Sequence, residues 1–151
     1  MRTLLLATGL AVLTVVGEPA RAAAQMAVIV HPSSTTRAVS IEDLRRLFLG
    51  NTRTIDTARV QVVEAAKLRK PFYRALLGIS DDEVRRRWVA LVFRGEATAL
   101  PRTLPDDAAV KAYVAEHPGA IGFIAAASAD GTVRVLTVDG HKPSEAAYAL
   151  R

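Results

Sequence analysis

Two stretches of the sequence carry hydroxyl or cationic side chains at a spacing that suits the binding of a small anion. The first follows an apolar run, and its candidate ligands are Ser33, Ser34, Thr35 and Arg37. The second is the basic cluster Lys67, Arg69 and Lys70. Hydroxyl and guanidinium groups donate hydrogen bonds to phosphate or carboxylate, and N–H groups at a helix N-terminus attract the same ligands. The alternative interpretation of residues 33–37 is a solvated loop that only joins a strand to a helix.

The same side chains give little support for catalysis or for metal binding. The histidines, His31, His117 and His141, are far apart, and the sequence has neither a His-Glu-x-x-His zinc motif nor a Gly-x-Ser-x-Gly nucleophile turn. Cysteine is absent, which removes thiolate nucleophiles, thiolate metal sites and disulfide bonds. We therefore expect a protein that is not an enzyme and that needs no cofactor.

A nucleic-acid partner is not expected either. Arg85-Arg86-Arg87 makes a local positive field, but consecutive helical residues point in different directions. Aromatic residues, on which bases stack, are only 5% of the chain, and the formal net charge is a modest +5. The arginine run is better interpreted as a solvated helix face.

Four strands and four helices are predicted to position the candidate anion ligands. The strands are expected at 27–30, 60–63, 120–124 and 133–138. The helices are expected to begin near Ser40, Arg69, Ser80 and Asp106. Residues 51–58 are predicted to be irregular, a loop is predicted around Pro101 and Pro105, and residues 143–150 are predicted to add a terminal helical turn.

Local signals define the ends of these helices and their buried faces. Ser40 with Asp43, and Ser80 with Glu83, have the capping-box spacing, and Gly50 suits a left-handed C-terminal position. Both Trp88 and Phe93 fall on the apolar pattern of the third helix, so we expect both in the core.

The pattern of elements predicts one α/β domain over residues 25–151. Strands alternate with helices, and the first strands are apolar throughout, which is typical of a sheet covered on both faces. Residues 1–24 have the layout of a secretory signal peptide, with a cut after Ala22 or after Ala24, so we expect a periplasmic protein. An uncleaved anchor is the alternative, although the apolar run 4–16 is shorter than the roughly 20 residues that span a bilayer.

Four motifs, in their order and spacing, carry a resemblance to a known family. They are Ser40-Ile-Glu-Asp-Leu-Arg-Arg-Leu-Phe-Leu-Gly50, Arg69-x-x-Phe72 followed by Leu77-Gly78, Trp88-x-x-Leu-x-Phe93-x-Gly95 and Pro118-Gly-Ala-Ile-Gly-Phe123. Together they resemble the small phosphate ABC transporter substrate-binding-like proteins of the type II periplasmic-binding-protein superfamily. The resemblance implies a single three-layer lobe with a mixed sheet, in which 27–30 and 133–138 correspond to crossover strands.

The resemblance also implies a function and a point of departure from it. Its full-length members hold an oxyanion between two lobes, whereas this chain is expected to supply one lobe. Where they carry an Arg and a Ser-Gly-Thr type turn, this sequence reads Glu64-Ala-Ala-Lys-Leu-Arg-Lys70. Two hypotheses follow. The first is an exported protein that binds phosphate or another small oxyanion for an ABC transporter. The second is a single-lobe module that docks a membrane transporter, a sensor or a second copy of itself.

Overall fold

The structure, a computed structural model, describes residues 25–151, and the predicted signal peptide lies outside them. The strands are β1 (Met26–Val30), β2 (Ala38–Val39), β3 (Thr54–Ile55), β4 (Ala58–Arg59), β5 (Gln61–Ala65), β6 (Arg102–Leu104), β7 (Ala120–Ala125), β8 (Arg134–Val135) and β9 (Thr137–Val138). The helices are α1 (Ile41–Phe48), α2 (Arg69–Leu77), α3 (Asp81–Phe93) and α4 (Asp107–Glu116). Single turns of 3-10 helix lie at Ala66–Leu68 and Ala126–Ser128.

Five strands form one mixed sheet in the order β6-β5-β7-β1-β8. β5 pairs in parallel with β6 and β7, whereas β1 runs antiparallel to β7 with Val28 opposite Phe123. The carboxyl end of β1 therefore lies at one edge of the sheet, and the carboxyl end of β5 lies at the opposite edge. This difference in direction decides where the candidate ligands lie.

Helices cover both faces of the sheet, which confirms the predicted three-layer α/β lobe. Successive side chains of β7 point to opposite faces. On one face, Phe123 stacks on Phe72 of α2 with the ring centroids 3.7 Å apart, and Phe48 of α1 meets Phe72 edge-on at 4.9 Å. On the other face, Gly122 lies under Val110 of α4.

The predicted helix signals are confirmed in the structure. The Ser40 hydroxyl accepts the Asp43 N–H at 3.0 Å, and the Ser80 hydroxyl accepts the Glu83 N–H at 3.2 Å. Gly50 follows α1 with a φ of 78°, in the left-handed region that costs glycine no steric strain. Local sequence was sufficient to predict these helix ends, because each capping interaction spans only a few residues.

Several element predictions are wrong, and non-local pairing is the reason. The expected strand 133–138 divides at Leu136, because β8 pairs with β1 while β9 pairs with β2. Residues 51–58 contain the small β3–β4 pair, and the expected loop around Pro101 and Pro105 contains the edge strand β6. Strand pairs this short carry too little periodicity to be recognised from sequence.

Phe93 was expected in the core, and this expectation is wrong. Its side chain is 87% exposed at the end of α3, whereas Val84, Trp88 and Leu91 form the buried face of that helix. Phe93 lies two residues after Leu91, so it points about 200° around the helix from it. An apolar residue at the end of a helix was mistaken for a member of the buried stripe.

The C-terminal segment, residues 143–150, forms separate turns and not the helical turn that was predicted there. Tyr148 and Leu150 are buried, and the Leu150 carbonyl accepts the Met26 N–H at 3.1 Å. The segment thus covers the part of β1 that β8 leaves unpaired. Its conformation follows from β1, which lies more than a hundred residues earlier in the chain.

Candidate functional site

The predicted hydroxyl loop after β1, residues 33–37, is held in place by hydrogen bonds within the protein. The Ser33 hydroxyl lies 2.7 Å from Nδ1 of His31, and the Ser34 hydroxyl accepts the Thr36 N–H at 3.2 Å. The Arg134 guanidinium donates to the carbonyl oxygens of Ser34 and of Pro32 at 2.6 and 2.7 Å. These bonds give the loop a defined shape and engage two of the hydroxyl groups that the sequence had assigned to a ligand.

The other two loop candidates, Thr35 and Arg37, have exposed side chains. The Arg37 carbonyl accepts the Thr137 N–H at 3.0 Å, which joins the end of the loop to β9. Two exposed side chains on one open loop compete with water for any anion, so the loop alone provides only weak contacts.

The basic cluster lies at the other edge of the sheet, after β5. Lys67 is exposed in the 3-10 turn, and Arg69 begins α2 with 16% of its side chain exposed. Along β7, the ends of β1 and β5 are separated by about three residues, or roughly 10 Å, and the chain leaves the two strands in opposite directions. A single phosphate cannot contact both sets of candidate ligands, so the structure does not bring them together.

Glu64 is the residue that sequence reasoning underrated. It lies inside β5, is only 4% exposed, and accepts hydrogen bonds from the Tyr73 hydroxyl and, at 2.9 Å, from the Thr103 hydroxyl. Its Oε2 also lies 3.1 Å from Nε of Arg69. A carboxylate buried in this way remains charged only when donors and a cation surround it.

Arg69 is therefore held by the protein's own carboxylates. Besides Glu64, Asp81 at the start of α3 lies 4.0 Å from its guanidinium. The Nε–H does not point directly at a hydrogen-bond acceptor, so the contact with Glu64 is chiefly an ion pair. The cation that the sequence assigned to an external anion is already paired on two sides.

The position of Glu64 explains why this cluster was not predicted. The glutamate is in contact with Thr103, which lies 39 residues away on an edge strand that the sequence did not reveal. The one available signal was a charged residue at the end of an otherwise apolar strand, since such a residue needs a partner when it is buried.

Burial raises the pKa of Tyr73 well above its usual range, and the negative charge of Glu64 adds to that effect. The phenol therefore stays protonated and remains a donor to Glu64. Burial also raises the pKa of Tyr148 to about 12.

The raised pKa values of Tyr73 and Tyr148 predict that the folded protein loses stability at alkaline pH. Both folded-state pKa values lie above the ordinary value of 10.0, so above that pH the unfolded chain releases protons that the folded chain retains. We expect the melting temperature to fall as the pH rises from 10 towards 12. Thermal unfolding of the protein and of Tyr148→Phe checks this, since the variant should lose part of the pH dependence. An equal decline in both would contradict the assigned role of Tyr148.

A cavity of about 600 Å³ lies beside α1 and β3, away from the basic cluster. Asp43, Asp56, Asp139 and Arg46 contribute its charged groups. The Thr36 hydroxyl donates to Asp56 at 3.0 Å, and the Ile41 N–H donates to Asp139 at 3.0 Å. Its excess of carboxylates does not suit a phosphate.

The described residues also bear on metal binding and on membrane insertion. Within residues 25–151, no three His, Cys, Asp or Glu side chains are arranged to hold a metal ion. None of the helices in that range is both long and apolar enough to cross a membrane.

Solved structures with a similar fold are substrate-binding proteins of phosphate transporters. A phosphate ABC transporter substrate-binding protein of Clostridium perfringens, solved with bound phosphate, superposes with a TM-score of 0.62 at 18% identity over 79% of this chain. An ABC-type phosphate transport receptor of Vibrio cholerae gives 0.62 at 16% identity over 80% of this chain. PstS of Borrelia burgdorferi superposes with a TM-score of 0.59 at 14% identity over 83% of this chain.

This chain has the fold of phosphate-binding proteins. The fold resemblance stated from the sequence motifs is thereby confirmed. No family model matches the sequence, and no curated protein does. At these identities the phosphate-binding-protein fold is what the comparison shows, and the matched proteins are binding proteins by description.

The match covers only part of each relative. This chain spans 46% of the Clostridium protein, 48% of the Vibrio protein and 53% of the Borrelia protein. The described residues thus correspond to about half of each phosphate-binding protein.

Proposed function

We propose that this protein is an exported, solute-binding-like lobe that works by docking a membrane transporter or sensor partner and does not hold phosphate tightly by itself. The observation that carries the proposal is the position of Glu64. Its carboxylate already takes up the Tyr73 hydroxyl, the Thr103 hydroxyl and the Arg69 cation. An incoming phosphate at the end of β5 would meet a negative charge where it needs donors.

The exposure of the candidate cations supports the same conclusion. Charge-assisted hydrogen bonds gain strength where a ligand is enclosed and water is excluded. On an open surface, the exposed Lys67 and Arg37 would share any anion with solvent.

An exposed apolar side chain beside the Glu64 cluster favours docking there. Leu100 is 41% exposed and lines the same small cavity as Glu64, Arg69 and Arg85. Protein interfaces combine an apolar centre with a polar rim and are enriched in arginine. We assign the docking face to the edge of the sheet at which β5 ends, beside Glu64 and Leu100, and call it the Glu64 edge.

Phosphate binding at the start of α2 is the second candidate function. It is favoured by one observation: the first turn of α2 has no acidic residue, although acidic residues are the ones that the helix dipole stabilises there. Lys67 and Lys70 are both exposed beside that turn. Because both side chains are exposed to solvent, we expect this site to bind phosphate weakly.

Calorimetric titration of the protein with phosphate at low salt separates the two functions. We expect no saturating heat at micromolar phosphate, and any weak signal should be lost in Lys67→Ala/Lys70→Ala. The matched control is Arg86→Ala/Arg87→Ala, which removes the same charge from α3. Submicromolar binding by a monomer would contradict the docking proposal and support the phosphate receptor.

Site-specific photo-crosslinking in the source cells tests the docking face directly. A photoreactive residue at position 100 is expected to give one discrete crosslinked species. The same residue at position 131, in an exposed turn near β8, is the control and should give none. A product from position 131 alone, or no product from either, would contradict docking at the Glu64 edge.

A further inference from the structure

The buried Glu64 carboxylate is surrounded as a bound anion would be. Its three contacts come from two elements: the guanidinium of Arg69 and the hydroxyl of Tyr73 belong to α2, and the hydroxyl of Thr103 belongs to β6. Hydroxyl donors and guanidinium cations of this kind also bind carboxylates and phosphates in proteins. The difference is that here the anion is covalently part of β5.

A small cavity adjoins this cluster. It has a volume of about 40 Å³ and is lined by Glu64, Arg69 and Thr103, with Arg85 and Leu100 towards the outside. A space of this size has room for water beside the glutamate. Shortening the Glu64 side chain would join its volume to the cavity and would leave the donors in place.

We propose that these residues form a carboxylate-binding pocket whose ligand is supplied in cis by Glu64. The pocket accepts a small external carboxylate, such as formate or acetate, once the Glu64 carboxylate is removed. The inference goes beyond the docking role, because it concerns the chemical class of ligand that the pocket takes and holds whether or not a partner protein binds.

Charge balance is the physical reason to expect an external ligand. In Glu64→Ala, Arg69 keeps only the more distant Asp81 at 4.0 Å, and the Tyr73 and Thr103 hydroxyls lose their acceptor. Leaving one partner of a buried ion pair without the other is strongly destabilising. A carboxylate that enters the pocket restores the missing charge and both acceptors at once.

Thermal unfolding of Glu64→Ala in sodium formate, sodium acetate or sodium chloride of equal ionic strength tests the proposal. We expect formate and acetate to raise the melting temperature of the variant beyond the effect of chloride, and to leave the wild-type protein unchanged. At a ligand concentration about ten times Kd, the unfolding equilibrium constant should fall roughly tenfold. Val62→Ala is the matched control, because it also removes buried atoms from β5 but leaves no cation unpaired.

A second variant keeps the test decisive. In Glu64→Ala/Arg69→Met the cation is absent, so the response to formate should disappear. If Glu64→Ala is unfolded in buffer, recovery of its circular dichroism spectrum on adding formate, but not chloride, supports the pocket. Responses no larger than those to chloride, an equal response in Val62→Ala, or a response that survives in the double variant would each overturn it. None of these results depends on phosphate binding or docking by the wild-type protein.

Discussion

Replacing Phe72 by alanine is expected to lower the free energy of unfolding by about 3 to 5 kcal/mol. The Phe72 ring is fully buried and lies parallel to Phe123, with an interplanar angle of 7° and centroids 3.7 Å apart. It also contacts the rings of Phe48 and Tyr73 edge-on. Its removal would leave a cavity between α1, α2 and the sheet that these rigid aromatic side chains cannot fill. Urea denaturation measures the loss.

Phe93→Ala is the matched control for this prediction. It removes the same aromatic ring from a position that is 87% exposed, so the free energy of unfolding should change by no more than about 0.5 kcal/mol. A large loss in Phe93→Ala would contradict the exposed position of that side chain and would restore the core assignment made from the sequence. A small loss in Phe72→Ala would contradict the aromatic core.

Introducing valine at Gly122 is expected to destabilise the protein by about 1 to 3 kcal/mol through overpacking. A Cβ at this position would lie 2.9 Å from Cγ1 of Val110 and 3.2 Å from the Val63 carbonyl oxygen. The valine can be accommodated only if α4 moves away from β7. We expect a lower melting temperature with an unchanged fold, measured by circular dichroism.

Gly131→Val serves as the control for Gly122→Val. A Cβ at Gly131 would meet no atom within 4 Å, so the substitution should change the melting temperature far less. Val110→Ala, which removes the nearest clashing atom, should recover part of the loss in Gly122→Val. Equal effects at the two glycines would contradict the close contact between α4 and β7.

The structure explains why the candidate site was predicted only in part. Lys67 and Arg69 were correctly placed at the start of a helix, because a proline at position 71 and a glycine at position 78 are local signals of its ends. The pairing of Arg69 with Glu64 and Asp81 was not foreseen, since it depends on how α2 and α3 pack against the end of β5. Local sequence thus identified the charges but not their partners.

The hydroxyl loop, residues 33–37, shows more clearly what local sequence can predict and what it cannot. Ser33, Ser34, Thr35 and Arg37 could be recognised as potential donors from their residue types alone. Whether they share a ligand with Lys67 depends on the relative directions of β1 and β5, which both pair with β7 but in opposite senses. That relation is set by strand pairing over about 90 residues, and no local pattern contains it.

By itself, the sequence determined the α/β class, the starts of the four helices, two of them with their capping boxes, and most of the apolar positions that build the core. These features depend on hydrogen bonds and periodicities within a few residues, so they can be read along the chain. Only the tertiary structure decided that the two groups of candidate ligands lie at opposite edges of the sheet and that Glu64 neutralises Arg69. The physical reason is that strand direction and the burial of a charge are settled by partners distant in the sequence.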